Sequence, residues 1–163
     1  RDELFSTEKG SGAFLNGERI RVTTASRIED SLSATGFPSR KRHANINIHF
    51  YYQLAMASHG VRRAGAAAID LAYVACGRLD LFWEFALNPW DMAAGSLLIT
   101  EAGGLVGNFT GEADFLEHRE CMAANPRVYA QMVSVLRKYS KFATADEKSS
   151  RPTLTSERST GME

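Results

Sequence analysis

Apolar positions along this chain switch repeatedly between a period of two and a period near 3.6 residues. Residues 2–5, ending in Leu4-Phe5, read as extended. Residues 13–15 and 19–22 flank Asn16-Gly17, a pair that supplies the positive φ angles of a type I′ turn and so predicts a hairpin. A lone hairpin is marginal in water, so these strands require a larger sheet. Residues 31–36 predict a short strand of small residues, ended by Phe37-Pro38. Residues 46–58 predict a helix with Ile46, Phe50, Leu54 and Ala57 on one face. Residues 61–63 read as a short strand. Residues 66–76 are rich in alanine and apolar almost all round, which predicts a buried helix with Gly77 as its stop. Residues 79–85 alternate: Leu79, Leu81, Trp83 and Phe85 on one face, Asp80, Phe82 and Glu84 on the other.

The clearest helix is predicted over 89–102. Asn88 suits the N-cap and Pro89 the first helical position. Trp90, Ala93, Ala94, Leu97 and Leu98 share a face. Strands follow at 105–109 and 121–124. Asn125-Pro126 repeats the capping device, and Val128, Met132, Val135, Leu136 and Tyr139 form the stripe of the last helix. From Lys141 the chain is rich in Ser, Thr and charge, which predicts a disordered tail. Alternating strands and helices predict a layered α/β fold.

Composition narrows the function. The 163 residues are enough for a sizeable core, and 19 Lys+Arg balance 19 Asp+Glu. That balance argues against a general nucleic-acid binder, though not against a local basic patch. Cys76 and Cys121 lack metal-ligand spacing and fit free thiols in a reducing cytoplasm. The most apolar stretch, 64–87, is interrupted by Asp70, Arg78, Asp80 and Glu84, so no membrane span is expected.

The candidate chemistry is carried by carboxylates. Asp91 falls in the first turn of its helix. It serves there as a dipole-complementing acid or as a hard-metal ligand at the edge where α/β folds bind their ligands. Glu84 closes a hydrophobic strand, either as a solvated acid or as an acceptor for substrate hydroxyls. Gly65-Ala66-Ala67 opens a helix whose free N–H groups suit an anion or a polyol. Asp70 and Asp80 read as structural. Arg62-Arg63 reads as structural or interfacial. Arg40-Lys41-Arg42-His43 reads as a solvated loop or, alternatively, a phosphate or RNA contact. No P-loop, Cys–His pair or serine nucleophile elbow is present.

Taken together, Trp90-Asp91-Met92-Ala93-Ala94-Gly95 followed by Glu101-Ala102-Gly103-Gly104 resembles the C-terminal signature of the inositol monophosphatase family. The run from Arg63 to Arg78, the segments Glu3-Leu4-Phe5 and Gly10–Gly17, and Ala123-Ala124-Asn125-Pro126 extend the resemblance over roughly residues 2 to 140. It implies the sugar-phosphatase fold of the inositol monophosphatase and fructose-bisphosphatase type, a layered α-β-α-β-α sandwich. It also implies Mg²⁺-dependent, metal-assisted hydrolysis of phosphate monoesters such as myo-inositol 1-phosphate. By the same resemblance, Asp91 is a metal ligand that also contacts a substrate hydroxyl, Glu84 binds ring hydroxyls, and Gly65 and Ala67 offer backbone contacts to the substrate. Lithium inhibition and a homodimer come with the family. One bacterial branch also acts with the transcription machinery, which makes RNA or polymerase contact the alternative role. Histidinol phosphate, fructose bisphosphate and phosphoadenosine nucleotides are the alternative substrates.

The family's other metal signature, Asp-Pro-(Ile/Leu)-Asp-Gly-Thr, has no match in this chain. The expectation is therefore a C-terminal half: residues 1–23 a strand-and-hairpin remnant of the N-terminal sheet domain, 24–140 the C-terminal α/β domain, 141–163 the tail. Such a half holds no catalytic residue beyond the metal ligand Asp91 and is inactive alone.

Overall fold

The computed structural model describes residues 2–37 and 47–137. The basic run at 40–43, Tyr139 and residues 141–163 lie outside them. In chain order the elements are β1 (Phe5–Glu8), β2 (Gly12–Leu15), β3 (Glu18–Ile20), a 3-10 turn (Ile28–Asp30), β4 (Leu32–Thr35), α1 (Asn47–Ala57) and β5 (Gly60–Arg62). There follow α2 (Ala67–Ala75), β6 (Leu81–Phe85), α3 (Pro89–Glu101), β7 (Leu105–Gly107), α4 (Phe115–His118) and β8 (Glu120–Ala124). A final helix, α5, runs from 126 to the last described residue, 137.

The first sheet is antiparallel in the order β1-β2-β3. Its second turn is the predicted one, with Asn16 at φ 52° and Gly17 at φ 84°. The strand expected at 2–5 begins only at Phe5, and Leu4 is left 69% exposed. The turn between β1 and β2 has no apolar period to announce it and is tied from a distance. Glu101, the last residue of α3, accepts the N–H groups of Gly10 (2.7 Å) and Gly12 (2.9 Å). Those two bonds hold the Glu101 carboxyl below the usual glutamate range.

The second sheet has the order β5-β4-β6-β8-β7. β4 pairs in parallel with β5 and β6, while β8 runs antiparallel to β6 and β7. From β4 the chain steps outward to β5, then returns past β4 to β6. Right-handed crossovers that reverse direction put their helices on opposite faces of the sheet, and α1 and α2 do lie in different cores. The reversal makes a topological switch point at the carboxyl ends of β4, β5 and β6, the usual place for a ligand in an α/β sheet.

Two cores follow. One joins α2 and α3 to the sheet through Leu71, Val74, Phe82, Met92 and Ile99, and takes in Ala13 of β2 on its far side. The other joins α1 and α5 to the opposite face through Phe50, Leu54, Leu81, Trp83, Met122 and Met132. The described residues thus stack as sheet, helices, sheet, helices, within the layered α/β class expected. Strand β6 splits as its alternation predicts, with Phe82 in one core and Leu81 and Trp83 in the other. Leu79 falls outside the strand and joins Phe82's core instead, because the alternation holds only while the backbone is extended.

Candidate active site

The cleft at the switch point has a volume of about 470 Å³. β4 contributes its exit, Gly36 and Phe37. The segment after β5 contributes Arg63, Gly65, Ala66 and Ala67. β6 and the turn into α3 contribute Glu84, Ala86, Leu87 and Asp91. All four residues singled out from the sequence (Gly65, Ala67, Glu84, Asp91) therefore line one cavity.

Asp91 serves its helix and faces the cleft at once. Its Oδ2 accepts the backbone N–H of Asn88 at 2.9 Å, which satisfies one of the donors that a helix start leaves orphaned. The turn delivering it is held in place by Arg119. The Arg119 guanidinium donates to Leu87 O (2.8 Å), Ala86 O (3.0 Å) and Asn88 Oδ1 (3.0 Å). That grip matters because Ala86 sits at φ 60°, a left-handed conformation that costs a residue with a Cβ roughly 1–2 kcal/mol.

Gly65 sits at φ 94° with nothing near its missing side chain, so glycine there serves the backbone bend into α2. Ala66 provides no side-chain cap to α2. The first N–H groups of that helix are therefore available to an acceptor in the cleft.

Glu84 is partly buried, and its carboxyl is pushed up to about 7. Burial is the main cause. The carboxylates of Asp70 and Asp91 add to it, and Arg63 works the other way. Asp70, on α2 behind the cleft, is 2% exposed; burial lifts it to about 6, and its Oδ2 is the one buried side-chain oxygen among the described residues without a hydrogen bond. Two carboxyls, Glu84 and Asp91, line the cleft with the Arg63 side chain, and Asp70 is buried behind them. Their hard oxygen donors are of the type that suits a divalent cation such as Mg²⁺, and Glu84 and Asp91 are the cleft carboxyls that could hold one. Among the described residues no three His, Cys, Asp or Glu side chains converge as a complete metal site.

The Asp70 carboxyl has a testable cost. Its folded-state value lies above the unfolded one, so the folded protein loses stability as pH rises from about 4 through 6. Asp70→Asn is expected to raise unfolding stability by roughly 1–2 kcal/mol at pH 8 without metal, since a neutral amide is less costly to bury than an unpaired carboxylate. The gain should vanish at pH 4. Urea titrations at the two pH values measure it, and an equal effect at both would refute the assignment.

Sequence reasoning missed Gly36, Phe37 and Arg63 as cleft residues. Arg63 lies over the Phe37 ring, 5.5 Å from its centroid, and so helps form one wall. The only local signal was the Phe-Pro break after a strand. Asp80 is structural as read: its Oδ2 accepts the Leu32 N–H at 2.6 Å. No helix among the described residues is long and apolar enough to cross a membrane.

The inositol monophosphatase family profile matches residues 1–141. The chain belongs to the inositol monophosphatase family. The Nus factor SuhB of Pseudomonas aeruginosa is 46% identical over 139 residues, which cover 83% of this chain and 51% of that protein. An inositol-1-monophosphatase of Mesorhizobium japonicum is 43% identical over 139 residues, covering 84% and 52%. Among solved structures, the extragenic suppressor protein SuhB of Bartonella henselae superposes with a TM-score of 0.80 at 43% identity, over 84% of this chain and 53% of that one. The inositol monophosphatase of Anabaena gives a TM-score of 0.80 at 37% identity, over 84% and 55%. The chain thus spans about half the length of the inositol monophosphatase relatives it matches.

Proposed function

We propose that this chain forms the leaving-group side of the active site of a Mg²⁺-dependent phosphomonoesterase acting on polyol monophosphates, with myo-inositol 1-phosphate as the leading substrate. The observation that carries this reading is the convergence of Glu84, Asp91 and the start of α2 on one cleft of a family member. Glu84 accepts hydrogen bonds from ring hydroxyls on the side where the alcohol leaves. Asp91 holds one edge of the cation and meets a substrate hydroxyl. Gly65 and Ala67 line the substrate with backbone groups, and Arg63 offsets charge at the rim. Mg²⁺, when bound, neutralises the phosphate and lowers the barrier to attack by water.

A substrate panel on the complete gene product tests the reading. Inositol 1-phosphate should be preferred over histidinol phosphate, fructose bisphosphate and a phosphoadenosine nucleotide. Glu84→Gln should raise KM for the inositol ester about tenfold or more, because a carboxyl with two acceptor oxygens is exchanged for an amide with one. Residues 1–163 alone should release no phosphate with Mg²⁺. Equal use of all four esters would remove the polyol assignment.

The relative named as a Nus factor favours a second role, contact with RNA or the transcription machinery. The basic residues Arg40, Lys41 and Arg42 are its candidates. RNA association should weaken steeply with salt and fall on charge reversal of all three. Association unchanged by that reversal would exclude the cluster.

A further inference from the structure

Two glycines of the cleft are glycines for different reasons. Gly65 needs its positive φ and has open space beside it, whereas the backbone of Gly36 lies outside the left-handed region and what it lacks is room. A Cβ built at Gly36 would fall 2.2 Å from both carboxylate oxygens of Glu84 and 2.3 Å from its Cδ. The carboxylate occupies the volume that any other residue would fill.

The seat is also fixed in place. The Gly36 carbonyl accepts Asn47 Nδ2. Asn47 Nδ2 also donates to Thr35 Oγ1 (3.0 Å), and Asn47 Oδ1 accepts the indole N–H of Trp83 (2.8 Å). Thr35 Oγ1 in turn donates to Trp83 O (2.6 Å). Trp83 immediately precedes Glu84, so one buried network sets both the seat and the residue that occupies it. Such closed networks leave little freedom to either partner.

We propose that Gly36 is a positioning residue for substrate specificity: its missing side chain forms the seat of the Glu84 carboxylate and so sets how far Glu84 reaches toward the hydroxyls of a polyol phosphate. This rests on the reading of Glu84 as the hydroxyl acceptor. Gly36→Ala is tolerable to the backbone and displaces only the end of a flexible side chain, so it moves the carboxylate without removing it.

The test uses the complete gene product with two esters, inositol 1-phosphate and p-nitrophenyl phosphate, which has no hydroxyls for Glu84 to bind. In Gly36→Ala the ratio of kcat/KM for the first over the second should fall roughly tenfold, through KM for the inositol ester, a change of the size expected when one hydrogen bond is weakened. Damage to the fold alone lowers both substrates together and leaves the ratio unmoved. Adding Glu84→Asp to Gly36→Ala shortens the side chain away from the new Cβ and should recover part of the ratio. An unchanged ratio in Gly36→Ala overturns the proposal. An unchanged inositol KM in Glu84→Gln instead overturns the role given to Glu84. Independently of turnover, a crystal structure of Gly36→Ala should show the Glu84 carboxylate moved, and an unmoved carboxylate overturns the seat.

Discussion

Asp91→Asn in the complete gene product should cut kcat/KM by about 10²–10³-fold, because loss of a charged cation ligand removes several kcal/mol of transition-state stabilisation. The residual rate should require much more Mg²⁺. The substitution separates the two tasks of this side chain. An asparagine at 91 keeps an oxygen for the Asn88 N–H, now at 2.9 Å from Asp91 Oδ2, so the helix start should survive with a change within about 1 kcal/mol. Turnover and thermal unfolding measured on the same preparation tell the tasks apart. A near-normal rate at low Mg²⁺ would show that Asp91 only caps its helix. A collapse of stability equal to the loss of rate would show that capping is its main work.

The largest stability effect is expected at Trp83. The side chain is fully buried, packs in the core beneath α1 and α5, and donates to Asn47. Trp83→Ala should lower unfolding stability by about 3–5 kcal/mol, from lost transfer energy and the cavity left behind. Against the roughly 5–15 kcal/mol that holds a typical domain together, that is a large fraction. Trp83→Phe keeps most of the volume but removes the indole donor, and should cost about 1–2 kcal/mol. Urea midpoints for the two variants check the order. Equal losses would mean that the hydrogen bond, rather than packing, dominates.

The parts of this protein that were legible in sequence were those whose signal is local. Asn16-Gly17 specified its turn, Asn88-Pro89 its helix start, and the alternation through Trp83 the two faces of β6. Glu84 could be singled out because it lies near the end of an alternating strand, and Asp91 because Asn88-Pro89 marks its helix start. The apolar face expected for that helix is wrong, since Trp90, Ala93 and Ala94 are exposed and Met92, Gly95, Leu98 and Ile99 turn to the core. What stayed hidden depends on contacts far apart in the chain. The β1–β2 turn is fastened by Glu101, some 90 residues away. Arg119 steadies the turn before Asp91 from over 30 residues downstream. Gly36 looked like one more small residue in a small-residue strand, since its neighbour in the cleft is a carboxylate 48 positions later. The four-residue α4 is too short to display a helical period. Asp70 read as structural, and only the folded arrangement leaves its buried Oδ2 without a donor.

Helix α3 runs from Pro89 to Glu101, 13 residues or about 20 Å at 1.5 Å per residue, with Asp91 in its first turn. Its first turn faces the cleft, and its last residue clasps the three-stranded sheet. The outer strands of that sheet, β1 and β3, each pair on one side only among the described residues. Each is thus an edge strand, the kind of border to which another strand can pair. Helix α3 thus joins the cleft, through Asp91 at one end, to the anchorage of the three-stranded sheet, through the Glu101 bonds to Gly10 and Gly12 at the other.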